Sequence, residues 1–450
     1  MPGVFSTNVF LCGFGPIAQS VLCLLDDFIP NVSSVTIICR EEVVVPDHRK
    51  PYRISVIQHD FSPDNISKVL HVVGKGDLVI DAMFAFESRM IMEYAHAKGA
   101  FYCNTSMEEY FKSPYNTQAD LYDTVKPFEG TTATIDCGCN PGLITHFLKA
   151  ALVELGKRKL CHVPNQQSHA QLKDAIQKKD VKVLCSLLKV RVIHISELDD
   201  QKTATPIQQD LLVNSWSVAS FLDEFLVESE VVVGTHEEKL VQEIEGTTKE
   251  KYPCWIPSQF PRLATLPFPT AVRSFNPVTG VFTGRSVRHP EVLEFSKLCS
   301  SGDYCPTISF VYCPMKEAWR SAERYYNKNK PELSNENIYV FKPKDLTPDG
   351  QESVGAFVVT DDDAYWFGSV ISTAEASAVD EYSNATVVQV SSGLLASAAW
   401  MLENPSKGLC YPGDIDTEYI LNKCRPYLGT LISQPVESWD KGTRWDELRV

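Results

Sequence analysis

Over the first 150 residues, short apolar runs alternate with segments of helical period. NVFLCG (8–13), VTIICR (35–40), RISVI (53–57), LVIDAM (78–83) and AFYCNT (100–105) read as buried strands. The segments IAQSVLCLLDDF and SRMIMEYAHAKG read as helices between them. This alternation predicts a doubly wound parallel sheet. TATID (132–136) adds a sixth strand, followed by Asn140-Pro141-Gly142 and the helical LITHFLKAALVELGK.

From about residue 150 the pattern changes. A polar helix, QSHAQLKDAIQKKD, gives way to VRVIHIS, ESEVVVGTH, AVRSFNP, GVFTGRSV, TISFVYC, GAFVVT and YWFGSVIS, with turn signals between them. These predict a second, mixed α+β domain on a largely antiparallel sheet, with the Pro-rich YPCWIPSQFPRLATLPFP running through its middle. Near the end, VVQVSSGLLASAAWMLENPSKG is a helix rich in small residues, a composition that lets a helix lie close against other backbone. The expected organisation is a first domain over 1–150, completed by 385–450, and a substrate-binding domain over 151–384.

Composition narrows the function classes. A chain of 450 residues with 44% hydrophobic and 22% charged positions fits two folded cores. The N-terminus lacks the basic start and cleavage site of a signal peptide, and no run of about 18 apolar residues occurs, so a cytoplasmic protein without a membrane span is expected. Fourteen cysteines are scattered singly, with only Cys137 and Cys139 close-set. That suits free thiols in a reducing compartment and gives no metal-site spacing. The net charge of −15 argues against a nucleic-acid partner and is compatible with a cationic substrate.

Gly13-Phe-Gly15-Pro16-Ile17-Ala18 directly follows the first strand and opens a helix. Gly13 allows the tight turn, Gly15 lets the backbone approach a pyrophosphate, and small Ala18 lets the helix lie close to the strand. Dinucleotide binding is the expectation. At the end of the second strand Glu41 is placed to hold an adenine ribose, whereas Arg40 would suit a 2′-phosphate; NAD is the choice over NADP. Asp81, ending the fourth strand, and Asn140, at the carboxyl edge of the sheet, join the cofactor candidates. Asn140 also reads as a helix N-cap with Pro at N1.

In the second half, VIHISELDD places His194 and Glu197 at a strand end. VNSWSVASFLDE, 213–224, opens a helix on which Trp216 and Glu224 would stand two turns apart and within about 80° around the axis. Taken singly, each of these residues also suits a core or surface role.

GFGPIAQ, CGCNPGLITHFLKAAL, VIHISELD, VNSWSVASFLDE, GTHE (234–237), RHPE (288–291), AYWFGS (364–369) and NATVVQVSSGLLASAAWMLENPSKG together resemble the bacterial-type homospermidine synthases, in order from residue 8 to about 435. The wider relatives are saccharopine and carboxynorspermidine dehydrogenases, with a Rossmann domain joined to a mixed second domain. The resemblance implies a homodimeric transferase acting on putrescine, spermidine and homospermidine. Tightly held NAD oxidises one putrescine to an imine, a second amine displaces ammonia, and the same NADH reduces the new imine. Spermidine can be the donor instead, releasing 1,3-diaminopropane.

Carried over by motif, Trp216 supplies an aromatic face for the iminium charge, and Glu224 anchors or deprotonates an amine. Glu197 and Asn140 line the reacting carbon, His289 and Glu291 complete a polar wall, Asn214 helps bind substrate, and Glu108 reaches in from the first domain. A primary amine has a pKa of roughly 10.4, so a base in a desolvated site is required before hydride can leave carbon. The chain departs from the family at Ala18, where Gly is usual, at Cys39, where an acid is usual, and at Leu198, where an arginine is common. Two other readings stand beside this one. One is an NADPH-dependent reductase condensing an aldehyde with an amine, which needs a cationic pocket. The other is a non-catalytic dinucleotide sensor.

Overall fold

The computed structural model describes residues 7–450 apart from 44, 46–51, 85, 108–116, 163–164, 209, 249–250, 329–332, 334–336 and 438. Two sheets organise it. The first has seven strands, all parallel, in the spatial order Leu409–Cys410, Ala133–Thr134, Phe101–Asn104, Leu78–Asp81, Thr7–Cys12, Val32–Cys39, Arg53–Gln58. The order reverses at Thr7–Cys12, so Gly13 to Gly15 lie at the topological switch point, the ligand crevice of an open α/β sheet. The expected sixth strand is only Ala133–Thr134.

The second sheet has ten strands. Its central pair, Val190–Asp200 and Thr307–Cys313, runs parallel. Gln351–Thr360, Ala364–Ser372 and Thr430–Pro435 follow antiparallel on one side, and the hairpin of Ala271–Asn276 and Gly280–Val287 adds to Thr307–Cys313. The largely antiparallel expectation therefore matches, with one parallel pair at its centre. The helix Leu143–Leu160 packs on Gln351–Thr360 and Ala364–Ser372.

The small-residue helix Ala385–Glu403 returns to the first sheet and packs on the helix Pro16–Phe28. A Cβ on Gly393 would stand 2.2 Å from the carbonyl oxygen of Gly138, so only glycine permits this approach. Among the described residues this is the one helix long and apolar enough to cross a membrane, but 89% of that stretch is buried in the protein, as in a core helix. The final segment departs from the expected 385–450 assignment: Leu409–Cys410 joins the first sheet, whereas Thr430–Pro435 pairs with Ala364–Ser372 in the second. The chain thus crosses between the sheets after Thr134, before Ala385 and again before Thr430. All fourteen cysteines are free, and most are buried.

Candidate active site between the two sheets

A cavity of about 1130 Å³ lies between the carboxyl edge of the first sheet and the face of the second. The first sheet contributes Gly13, Gly15, Pro16, Ile17, Arg40, Glu41 and the loop Ala82 to Phe84. Facing them are Glu197, Trp216, Glu224, His289, Phe310 and Tyr312, with Asn140 between the two groups.

The first-sheet end has the shape of a dinucleotide cradle. Gly13 adopts φ +87°, and a Cβ there would stand 2.8 Å from the carbonyl oxygen of Ala82. At Gly15, φ is −71°, and a Cβ would meet no protein atom within 4 Å. Gly15 leaves room for a ligand, then, while Gly13 solves a backbone problem. The helix starting at Pro16 offers free amide N–H groups in its first turn, the usual seat of a pyrophosphate. We expect Gly15→Ala to weaken dinucleotide binding at least about tenfold while leaving the melting temperature unchanged, and Gly13→Ala to lower the melting temperature itself, through its αL backbone. Titration calorimetry and thermal melts check the two arms.

At the adenosine end Arg40 and Glu41 are exposed and pair at 3.4 Å. Cys39 donates its thiol to the Glu41 carbonyl.

The second-sheet end is acidic. Strand alternation puts Glu197 and Asp199 on one face. Register sets Tyr312 beside Glu197 on one side, and Glu352 opposite Asp199 on the other. Asn140 donates its side-chain amide to Glu197 Oε2. Asp199 accepts from Ser215 at 2.6 Å, and Glu352 accepts from Thr386 at 3.2 Å. On the opposite wall His289 Nδ1 pairs with Glu291 Oε2, and His289 Nε2 lies 3.7 Å from Glu224 Oε2.

Burial raises four of them, Glu197, Asp199, Glu224 and Glu352. Glu197 is pushed up to about 8, with His289 pulling it down and Asp199 pushing it further up. Desolvation takes Glu224 to about 7 and Asp199 to about 6, and raises Glu352 strongly. His289 moves the other way from a buried histidine: burial would lower it, but Glu291 and Glu224 raise it to about 9. One imidazolium thus stands among three acids, Glu197 and Glu291 buried and Glu224 partly open to the cavity.

Several expected residues sit elsewhere. Asp81 does not line the cavity: buried, it accepts from Tyr102 at 2.9 Å and from the Met83 amide at 3.2 Å, and so braces the loop that does. Ala18 is fully buried and serves packing. Asn214 is buried at the end of the strand Leu212–Asn214, outside the lining, and neither of its side-chain polar atoms has a partner. Glu291 stands behind His289 and holds it. Glu108 lies outside the described residues. Asn140 is not the helix cap, since the helix starts at Leu143, and its amide is directed at Glu197 instead. Trp216 precedes its helix, whose cap is Ser217, so helical period does not relate it to Glu224, although both line the cavity. His194 is buried beneath the sheet with Ser274 as partner, and burial lowers it to about 3. Leu198 falls on the sheet face opposite Glu197.

Sequence reading missed Tyr312 and Phe310 in the lining, and the buried pair Asp199 and Glu352 behind Glu197, outside the lining. The i, i+2 alternation in TISFVYC would have put the two aromatics on one face, and that in HISELDD likewise Glu197 and Asp199.

The chain is similar to known proteins over nearly all its length. Residues 9–134 match the saccharopine dehydrogenase NADP binding domain family. It is 28% identical to a homospermidine synthase of Mesorhizobium japonicum, covering 95% of this chain and 90% of that one. A homospermidine synthase of Blastochloris viridis is 27% identical, over 94% and 90%. The crystal structure of the homospermidine synthase of Legionella pneumophila in complex with NAD superimposes with a TM-score of 0.83 at 25% identity, covering 99% of this chain and 98% of that one.

Proposed function

We infer that this chain is a homospermidine synthase of the bacterial type, a transferase that joins two putrescines, or spermidine and putrescine, with release of ammonia or 1,3-diaminopropane. The observation that carries this reading is the surplus of buried carboxylates around an aromatic face, in a cavity whose other end suits a dinucleotide. Desolvated acids attract a diamine dication strongly, because unpaired buried charge is costly.

NAD is the dinucleotide of this reading. The cradle at Gly13 to Ile17 would hold it, and it would supply the acceptor and then the donor of one hydride, leaving no net redox change. Glu41 beside Arg40 is a like charge that a 2′-phosphate there would have to meet.

The chain's own residues handle charge and protons. Moving a proton from an ammonium near 10.4 to an ordinary glutamate would cost roughly 8 kcal/mol; burial raises Glu197 and so lowers that cost. Glu197 is therefore the base of this reading, with Asn140 orienting its carboxylate. Glu224 anchors a substrate ammonium by exchanging His289 for it, and Glu291 keeps His289 in place. Trp216 offers its π face to the positive charge that grows on the amine-bearing carbon, a contribution of about 0.5–2 kcal/mol when desolvated.

The reductase reading needs a cation for a substrate carboxylate. Arg288 lines the cavity but is engaged by Glu230 at 3.6 Å and by the Glu228 carbonyl, and His289 is enclosed by acids. A homodimer in the cytoplasm, acting on free polyamines, goes with the transferase.

Purified protein with putrescine and catalytic NAD should release homospermidine and ammonia in equal amounts with no loss of NAD. Product formed only with stoichiometric NADPH and an aldehyde would move the chain to the reductases.

A further inference from the structure

Trp216 has no regular element to hold it. It lies ahead of the Ser217 cap, half-buried, and its ring meets Phe221 edge-on at 6.2 Å. What fixes its rotation is Tyr312: the indole Nε1–H donates to the Tyr312 hydroxyl at 3.3 Å. Tyr312 is itself rigid. It sits on a central strand, is 3% exposed, stacks on Phe310 at 5.9 Å and meets Phe225 edge-on at 6.2 Å. Phe225 in turn carries the Arg285 guanidinium over its ring at 4.7 Å.

An indole can only donate through its nitrogen. In a cavity walled by Glu197 and Glu224, an indole N–H without Tyr312 would turn to a carboxylate. Two losses would follow. The carboxylate would be engaged by the indole, and the ring would present its electropositive edge to the cavity instead of its electron-rich face.

We propose that Tyr312 is a positioning residue, whose hydroxyl sets the indole of Trp216 with its face to the reacting carbon and keeps its N–H away from Glu197 and Glu224. The proposal rests on the transferase reading for what activity means. It goes beyond that reading in assigning a role to a residue that touches Trp216 and is not itself asked to do chemistry.

The test is Tyr312→Phe, which keeps the ring and its stacking. Homospermidine formation should fall about tenfold in kcat, with KM for putrescine within about twofold, because the loss appears where positive charge develops. Indole-15N spectra provide a second readout: the N–H resonance that disappears in Trp216→Phe should move in Tyr312→Phe. In a Trp216→Phe background, Tyr312→Phe should have no further effect on kcat. The same tenfold loss in that background would overturn the proposal by giving Tyr312 a direct role, and an unmoved resonance with unchanged kcat would show the contact to be idle. If the wild-type protein makes no homospermidine, the transferase reading fails, and the resonance alone decides whether Tyr312 holds the indole.

Discussion

Glu197→Gln lowers kcat for homospermidine formation by about 10² to 10⁴, the range expected when a general base is lost, without lowering the melting temperature. Glutamine has the same shape, and its carbonyl oxygen still accepts from Asn140. It removes a carboxylate that is costly to ionise inside the protein. The sign follows from linkage: Glu197 titrates near 8 when folded but near the ordinary 4.5 when unfolded, so the folded state binds more protons between those values. The stability this gives is complete below about 4.5 and lost as pH rises through about 8. His289, raised to about 9, acts in the same direction, its contribution being complete below about 6.5 and lost as pH rises through about 9. Thermal melts of wild type and variant should therefore diverge from pH 5 to 8.5, with the variant the more stable at the upper end. A variant that loses activity and stability together would make Glu197 structural.

Trp216→Ala should lower kcat by about 10- to 30-fold, the rate equivalent of a desolvated cation–π contact near its upper range. Trp216→Phe should recover part of this, because a smaller π face remains. Melting temperature should fall little in either variant, since the indole is only half-buried and its regular neighbours hold one another through Phe221, Phe225 and Tyr312. Steady-state kinetics beside differential scanning fluorimetry separate the two effects. A drop in kcat matched by an equal drop in stability would return Trp216 to the core.

The strands of both sheets were legible wherever apolar runs were bounded by turn residues, and the switch point could be read from Gly13 and Gly15 following the first of them. Pairing was not. Tyr312 lies beside Glu197 because two strands more than a hundred residues apart run parallel in one register, and no local pattern carries that register. The same holds for Glu352 opposite Asp199. Asp81 misled for a related reason: a strand-end acid at a switch point looks like a ribose ligand until its partners, Tyr102 and the Met83 amide, are known. Trp216 and Glu224 were found through motif resemblance, but the helical spacing assumed for them was wrong, since Ser217 starts the helix one residue too late. Asn214 sits in the same motif, yet strand geometry turns it into the protein.

The three crossings of the chain between the sheets set a limit on motion. Lobes joined by a single linker can swing apart; lobes laced three times, with Glu230 of one accepting from the Gln118 and Ala119 amides of the other, must bend every crossing at once to part.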